Sequence, residues 1–320
     1  MAWVSSLFVN AAVHILLVPF LGAVVRYRAC YSPKAAAADG DRDEDRGVQL
    51  NGFFSTIWKT HRLEGWAGLY KGSVPILLQT ILIRGSLMLA KIHPAIPLAL
   101  IAAPQLGFFE GIAFIFFSAI IELPMVLFTT RAIVTPYKLS FFRPITAFNA
   151  LLSPSERRHP WIIYLSPGLF TAIALKTAIP LMILHLVFDL ASQFPSEFLP
   201  LFAAAIMLYI TSFIGCTVML APLDVIITRL AIQRNRDLDL EYIPLPHASD
   251  LLEGDDYDGM QRYSDEDDVL LFHEDSCEPY TGFMDCCRKI LVEEGWTVVF
   301  RAWWFPILGQ ISSVILFKLL

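Results

Sequence analysis

From Ile96 to Ile121 the chain offers only Gln105, Glu110 and Ser118 as polar side chains, so a helix built there has almost no polar face to turn toward water. A segment of this kind suits a lipid-facing helix, whose backbone hydrogen bonds are all satisfied internally. A soluble protein with a very large core would instead need a polar stripe along its long helices. Composition points the same way. Of 320 residues, 56% are hydrophobic and 17% charged, and the mean hydropathy of +0.56 is one that soluble domains of this length rarely reach. Six candidate spans follow from apolar length: Val4–Val25, Val74–Ala90, Pro97–Val134, Gly168–Leu190, Phe198–Ile232 and Ala302–Leu320. Met1–Val25 carries no basic leader and no clear cleavage site, so it reads as a retained first helix rather than a signal peptide.

The charges cluster between the spans, chiefly at Arg26–Arg46, Lys138–His159 and Arg234–Cys277. The last stretch is aspartate-rich and accounts for most of the net charge of −6. It reads as a disordered, solvated insertion over residues 234–277, with Ser249 and Ser264 as candidate phosphorylation positions and a protein partner as its expected contact. Its acids lack the twelve-residue ligand spacing of a calcium-binding loop. No basic patch suggests nucleic acid. The five cysteines show neither metal spacing nor a disulfide framework. With no Gly-rich phosphate loop and no nucleophile elbow, the chain is expected to be no enzyme and to need no cofactor or metal.

The six spans fall into three pairs, each joined by a long polar connection, and an internal repeat accompanies them. Three odd-numbered spans end in a proline followed seven residues later by an arginine: Pro19-Phe-Leu-Gly-Ala-Val-Val-Arg26, Pro124-Met-Val-Leu-Phe-Thr-Thr-Arg131 and Pro222-Leu-Asp-Val-Ile-Ile-Thr-Arg229. They recur about every 100 residues, a period that chance would rarely produce three times at the same place in a helix pair. After the loop, Glu64-Gly65-Trp66 with Tyr70-Lys71-Gly72 matches Glu294-Gly295-Trp296 with Phe300-Arg301-Ala302. Each copy follows a short helix opened by Gly-Phe. The middle copy is weaker, at Pro160-Trp161 and Tyr164 to Gly168. The repeats are 1–95, 96–195 and 196–320.

In these motifs the chain resembles the mitochondrial carrier family, as a diverged member with eroded signatures. The resemblance implies an all-α membrane protein, one carrier domain of six transmembrane helices in three pseudo-symmetric pairs. Odd helices would kink at Pro19, Pro124 and Pro222. Short helices at about Phe53–Arg62, Pro144–Leu152 and Phe283–Val292 would lie at the membrane surface. It also implies a mitochondrial membrane as the location, inner or outer. Gly107 and Gly111 in the third span supply a small-xxx-small face for close packing.

The family's ion-pair gates are mostly absent. At the signature's acid position stand Leu21, Val126 and Asp224; at its base position stand Val24, Thr129 and Ile227. Arg26, Arg131 and Arg229 persist, and snorkelling to lipid headgroups would account for them. Of the second gate, the middle repeat keeps Phe188-Asp189, with Ser192 in place of the base. By the family's offset, substrate contacts fall on Gln79, on Leu175 with Lys176, and on Gly309 with Gln310. Arg84 and Lys176 are ionisable groups inside apolar spans, which marks them as candidate contacts alongside Gln79 and Gln310; snorkelling or a bond to a neighbouring helix is the structural alternative. Glu110 and Glu122 would face a water-filled cavity or serve structure near the kink. The eroded signatures and acidic insertion suggest a non-transporting member acting in outer-membrane dynamics or fusion, or as an adaptor. The alternative is alternating-access transport of a small metabolite.

Overall fold

The computed structural model describes residues 2–32, 52–79, 107–138, 151–192, 199–233 and 279–307, with the single residues 81, 147 and 149. Among them every regular element is helical. The long helices are α1 (Ala2–Ala29), α3 (Phe108–Val134), α5 (Leu169–Ser192) and α6 (Leu199–Ile232). Between them lie α2 (Phe53–Leu69), the short α4 (Pro154–Arg158) and a 3-10 turn at Pro160–Leu165. After α6 come α7 (Phe283–Lys289), which runs on as a π turn over Ile290–Glu294, and α8 (Trp296–Val299). Four expected spans overlap α1, α3, α5 and α6; α3 begins at Phe108 rather than Pro97, and residues 97–106 lie outside the described residues. Of the second and sixth, only the first turns are described, helical over 73–79 and 305–307. Arg84, Gln310 and the insertion 234–277 lie outside the described residues.

Among the described residues, two segments are long and apolar enough to cross a membrane: α3, and Ile214–Ile232 within α6. Only 17% of the apolar window of α3 is covered by other parts of the protein. Phe108, Phe109, Phe116, Phe117 and Ile121 all stand exposed along it. A core helix of a soluble protein has the reverse pattern, and an apolar surface of this extent calls for a non-aqueous neighbour. Among the described residues, nothing packs closely on the expected Gly107–Gly111 face. A Cβ on Gly111 would meet nothing within 4 Å, and Gly107 is the N-cap of α3, donating its N–H to Glu110 Oε2 at 3.1 Å. Glu110 is therefore an exposed capping residue at the helix start.

The odd helices α1, α3 and α6 touch one another pairwise, α2 packs on α1, and α5 packs on both α3 and α6. The main core is built from Leu123 and Leu127 of α3, Leu169 and Ile173 of α5, Val225 and Ile226 of α6, and Cys286 and Ile290 after them. At their last turns the odd helices converge: Ala29 and Cys30 are buried against Val134 and Ile232. Pro19, Pro124 and Pro222 all sit inside their helices. A proline frees the carbonyl four residues back. For Pro124 that is Ile120 O, which accepts the Tyr164 hydroxyl at 3.2 Å.

Chain reversals use left-handed backbone where the repeat motif has glycine: Gly65, Gly72, Gly168 and Gly295 all have positive φ. Ala302 stands at the position matching Gly72 and adopts φ 55°. With a Cβ, that conformation costs about 1–2 kcal/mol. Arg28 Nη2 donates to the Ala302 carbonyl at 3.3 Å and helps hold it.

Candidate functional site

The three repeat arginines are buried at the convergence of the odd helices. Arg26, Arg131 and Arg229 are only 1%, 4% and 3% exposed. This overturns the expectation that they snorkel to headgroups. Each meets a glutamate from its own repeat: Arg26–Glu64 at 2.6 Å, Arg131–Glu156 at 2.6 Å and Arg229–Glu294 at 2.9 Å. The Arg131 pair is bidentate, Nη1 reaching Oε2 and Nη2 reaching Oε1 at 3.0 Å. Two-pronged guanidinium bonding is the strong form of this contact.

The glutamates are placed by two different local devices. Glu64 and Glu294 each precede a left-handed glycine, Gly65 (φ 67°) and Gly295 (φ 99°), which breaks the helix and turns the carboxylate inward. Glu156 instead sits three residues after Ser153. Ser153 Oγ accepts the Glu156 N–H at 3.3 Å, and Ser153 N–H donates to Glu156 Oε2 at 2.9 Å. That is a capping box opening α4, with Pro154 in its first turn. Glu156 was the residue that motif matching missed. Its signal was readable as Ser153-Pro-Ser-Glu156, a helix start, but nothing in the sequence tied that start to Arg131.

The arginines also satisfy carbonyls that the helix ends leave without intrahelical partners. Arg131 Nε donates to Ala231 O and Nη2 to Gln233 O, both at 2.9 Å. Arg229 Nε donates to Arg28 O at 2.9 Å and Nη2 to Cys30 O at 2.6 Å. In both cases the acceptors lie two and four residues past the arginine of the next odd helix. The basic residues after the loops repeat the pattern. Lys71 Nζ reaches Thr135 O at 2.7 Å, and Arg301 Nη1 reaches Cys30 O.

Lys71 is the titratable member of this layer. Burial pushes its ammonium down to about 8, against the upward pull of Glu64 at 2.8 Å, and nearby Arg26 lowers it further. Between pH about 8 and 10.5 the folded protein has released this proton while the unfolded chain still holds it, so the contribution of Lys71 to stability rises with pH across that window. Lys71→Gln is expected to remove that rise. Unfolding midpoints from pH 7 to 10.5 check it: the wild-type-minus-variant difference grows with pH, and a flat difference refutes the assignment.

A second charged cluster joins α1, α3, α5 and α6. Asp224 of α6 is buried, and Val24 of α1 lies in a separate apolar cluster with Phe53 and Ala302. Arg28, one turn beyond Val24 along α1, reaches Asp224 at 3.1 Å. Lys176 of α5 also pairs with Asp224 at 3.1 Å and stands 3.8 Å from Glu122 of α3. Lys176 is thus bonded across helices. Sequence reasoning missed Arg28 because it falls outside the motif's base position. Gln79 is half-buried within the helical residues 73–79. Asp189 is exposed on α5 and stands 3.7 Å from His185 of the same helix. Of the four candidate contacts, Lys176 and Gln79 are described, and Lys176 alone of the two is tied into a charged cluster.

The chain matches no protein-family model, no curated protein and no solved structure. The arrangement therefore stands on its own geometry: described residues whose regular elements are all helical, two candidate membrane-crossing helices among them, and a buried arginine–glutamate layer where the odd helices end.

Proposed function

We propose that this chain is a six-span bundle of the mitochondrial carrier type, kept as a non-transporting scaffold in a mitochondrial membrane and serving outer-membrane dynamics, fusion or an adaptor role. What carries the reading is the filling of five of the six gate positions, all but Asp224, with uncharged side chains. Val24 and Ile227 are buried apolar residues, Thr129 is buried, and Leu21 and Val126 are partly covered. Alternating access needs two closed states held by interactions that exchange, and these side chains have no charge to exchange. The arginine–glutamate layer lies within single repeats and ties helix ends together, which favours one fixed arrangement. Lipid would surround the exposed apolar faces, and the acidic segment 234–277 would offer a protein contact. The mitochondrial location and six-span topology rest on the three Pro-to-Arg motifs and the matched Glu-Gly-Trp motifs.

Transport of a small metabolite is the second reading, and one observation favours it: Lys176 and Glu122 are each about a third open, at 34% and 28% side-chain exposure, in the middle of apolar helices. Reconstitution into liposomes separates the two. The scaffold reading expects no saturable uptake across labelled nucleotides, carboxylates, amino acids and cofactors from protein shown to be folded and inserted. Saturable uptake that Lys176→Ala abolishes would replace it with the carrier reading.

A further inference from the structure

Four charged side chains from four helices meet in one cluster: Arg28 (α1), Glu122 (α3), Lys176 (α5) and Asp224 (α6). They divide into an inner and an outer pair. Arg28 and Asp224 are 3.1 Å apart with side chains only 8% and 9% exposed. Arg28 is further fixed by Arg301 O at 3.2 Å and Ala302 O at 3.3 Å. This pair is saturated and closed. Glu122 and Lys176 are the open pair, and their 3.8 Å separation is beyond hydrogen-bond reach. An ammonium carries three donors, and Asp224 takes one of those on Lys176. The carboxylate of Glu122 has Lys176 as its one ionic partner among the described residues.

We infer that Lys176 and Glu122 form a binding site for a small zwitterion of the α-amino-acid type, its carboxylate on Lys176 and its ammonium on Glu122. Charge balance selects this class. The cluster holds two cations and two anions, so it is neutral as it stands. A lone anion reaching Lys176 would leave an uncompensated negative charge beside Asp224 and Glu122. A lone cation on Glu122 would leave a positive charge facing Lys176 and Arg28. Either is costly among apolar helices. A zwitterion adds no net charge and replaces the loose Glu122–Lys176 contact with two hydrogen-bonded ion pairs. The short span between the two groups limits the ligand to charges separated by one or two carbons. The inference does not depend on whether the bundle opens, because it concerns occupancy only.

The test is ligand-induced thermal stabilisation and calorimetric titration of the full chain in lipid nanodiscs. The probes are the common α-amino acids, β-alanine, γ-aminobutyrate, and two half-ligands, propionate and alanine methyl ester. At least one α-amino acid is expected to bind saturably, with γ-aminobutyrate and both half-ligands at least ten-fold weaker. Glu122→Gln, which keeps the side-chain size, and Lys176→Met are each expected to weaken binding at least ten-fold. The probe series is read on the wild-type chain, so the proposal stays testable if a variant fails to fold. Absence of binding by every amino acid, equal binding by propionate or the methyl ester, or unchanged affinity in a folded Glu122→Gln protein would each overturn it.

Discussion

Replacing Glu156 by alanine is expected to cost about 3–5 kcal/mol of stability, because it leaves the Arg131 guanidinium buried without its counter-charge. Glu156 is wholly buried, and both its oxygens are engaged by Arg131. The substitution also removes half of the capping box that opens α4, worth about another 1 kcal/mol. The loss should appear as a lowered unfolding midpoint of purified protein in detergent and as faster proteolysis. The pair's own share is isolated by adding Arg131→Met. Removing both charges is expected to be less damaging than removing the carboxylate alone, since an apolar replacement leaves no buried ion. Arg131 also bonds Leu151 O, Ala231 O and Gln233 O, so the double variant is not expected to regain wild-type stability. If Glu156→Ala alone is as stable as wild type, Arg131 reaches water in solution and the buried layer is wrong.

Gly168→Ala is expected to be comparably severe for a different reason. Gly168 has φ 79°, and a Cβ there would run into the backbone of Gly282 and Phe283. Backbone atoms at the start of α7 cannot rotate aside as a side-chain tip can, so α5 and α7 would have to separate. Left-handed strain of about 1–2 kcal/mol adds to the overlap. Expression of folded protein should fall sharply, and any that folds should melt well below wild type. Gly111→Ala is the control. Its site is open, it lies inside α3, and helix propensity favours alanine there by about 0.5–1 kcal/mol. Equal effects at both positions would mean that Gly168 is not the contact point between α5 and α7.

What was legible in the sequence is what repeats along it. The apolar runs located α1, α5 and α6 nearly to their ends and the C-terminal end of α3, because a long apolar run has few polar residues to break a helix. The Pro-to-Arg spacing located the last turns of three helices, and the Glu-Gly pairs located the left-handed breaks after Glu64 and Glu294. Those are local requirements, written in neighbouring residues. The partner of each arginine was not written there. A guanidinium at a helix end looks the same whether it snorkels to lipid or enters a buried pair. The choice depends on a glutamate 38 residues away for Arg26 and 65 away for Arg229. Arg28 escaped notice for the same reason. Only the packing of α1 on α6 shows that a base one turn beyond Val24 reaches Asp224, because the helical pitch, not the motif's spacing, decides which side chains meet. The sequence by itself determined a largely apolar chain of long helices with three related helix ends. The tertiary structure alone decided that those ends close on buried arginine–glutamate pairs, since buried charge is tolerated only where distant segments bring its partner within bonding distance.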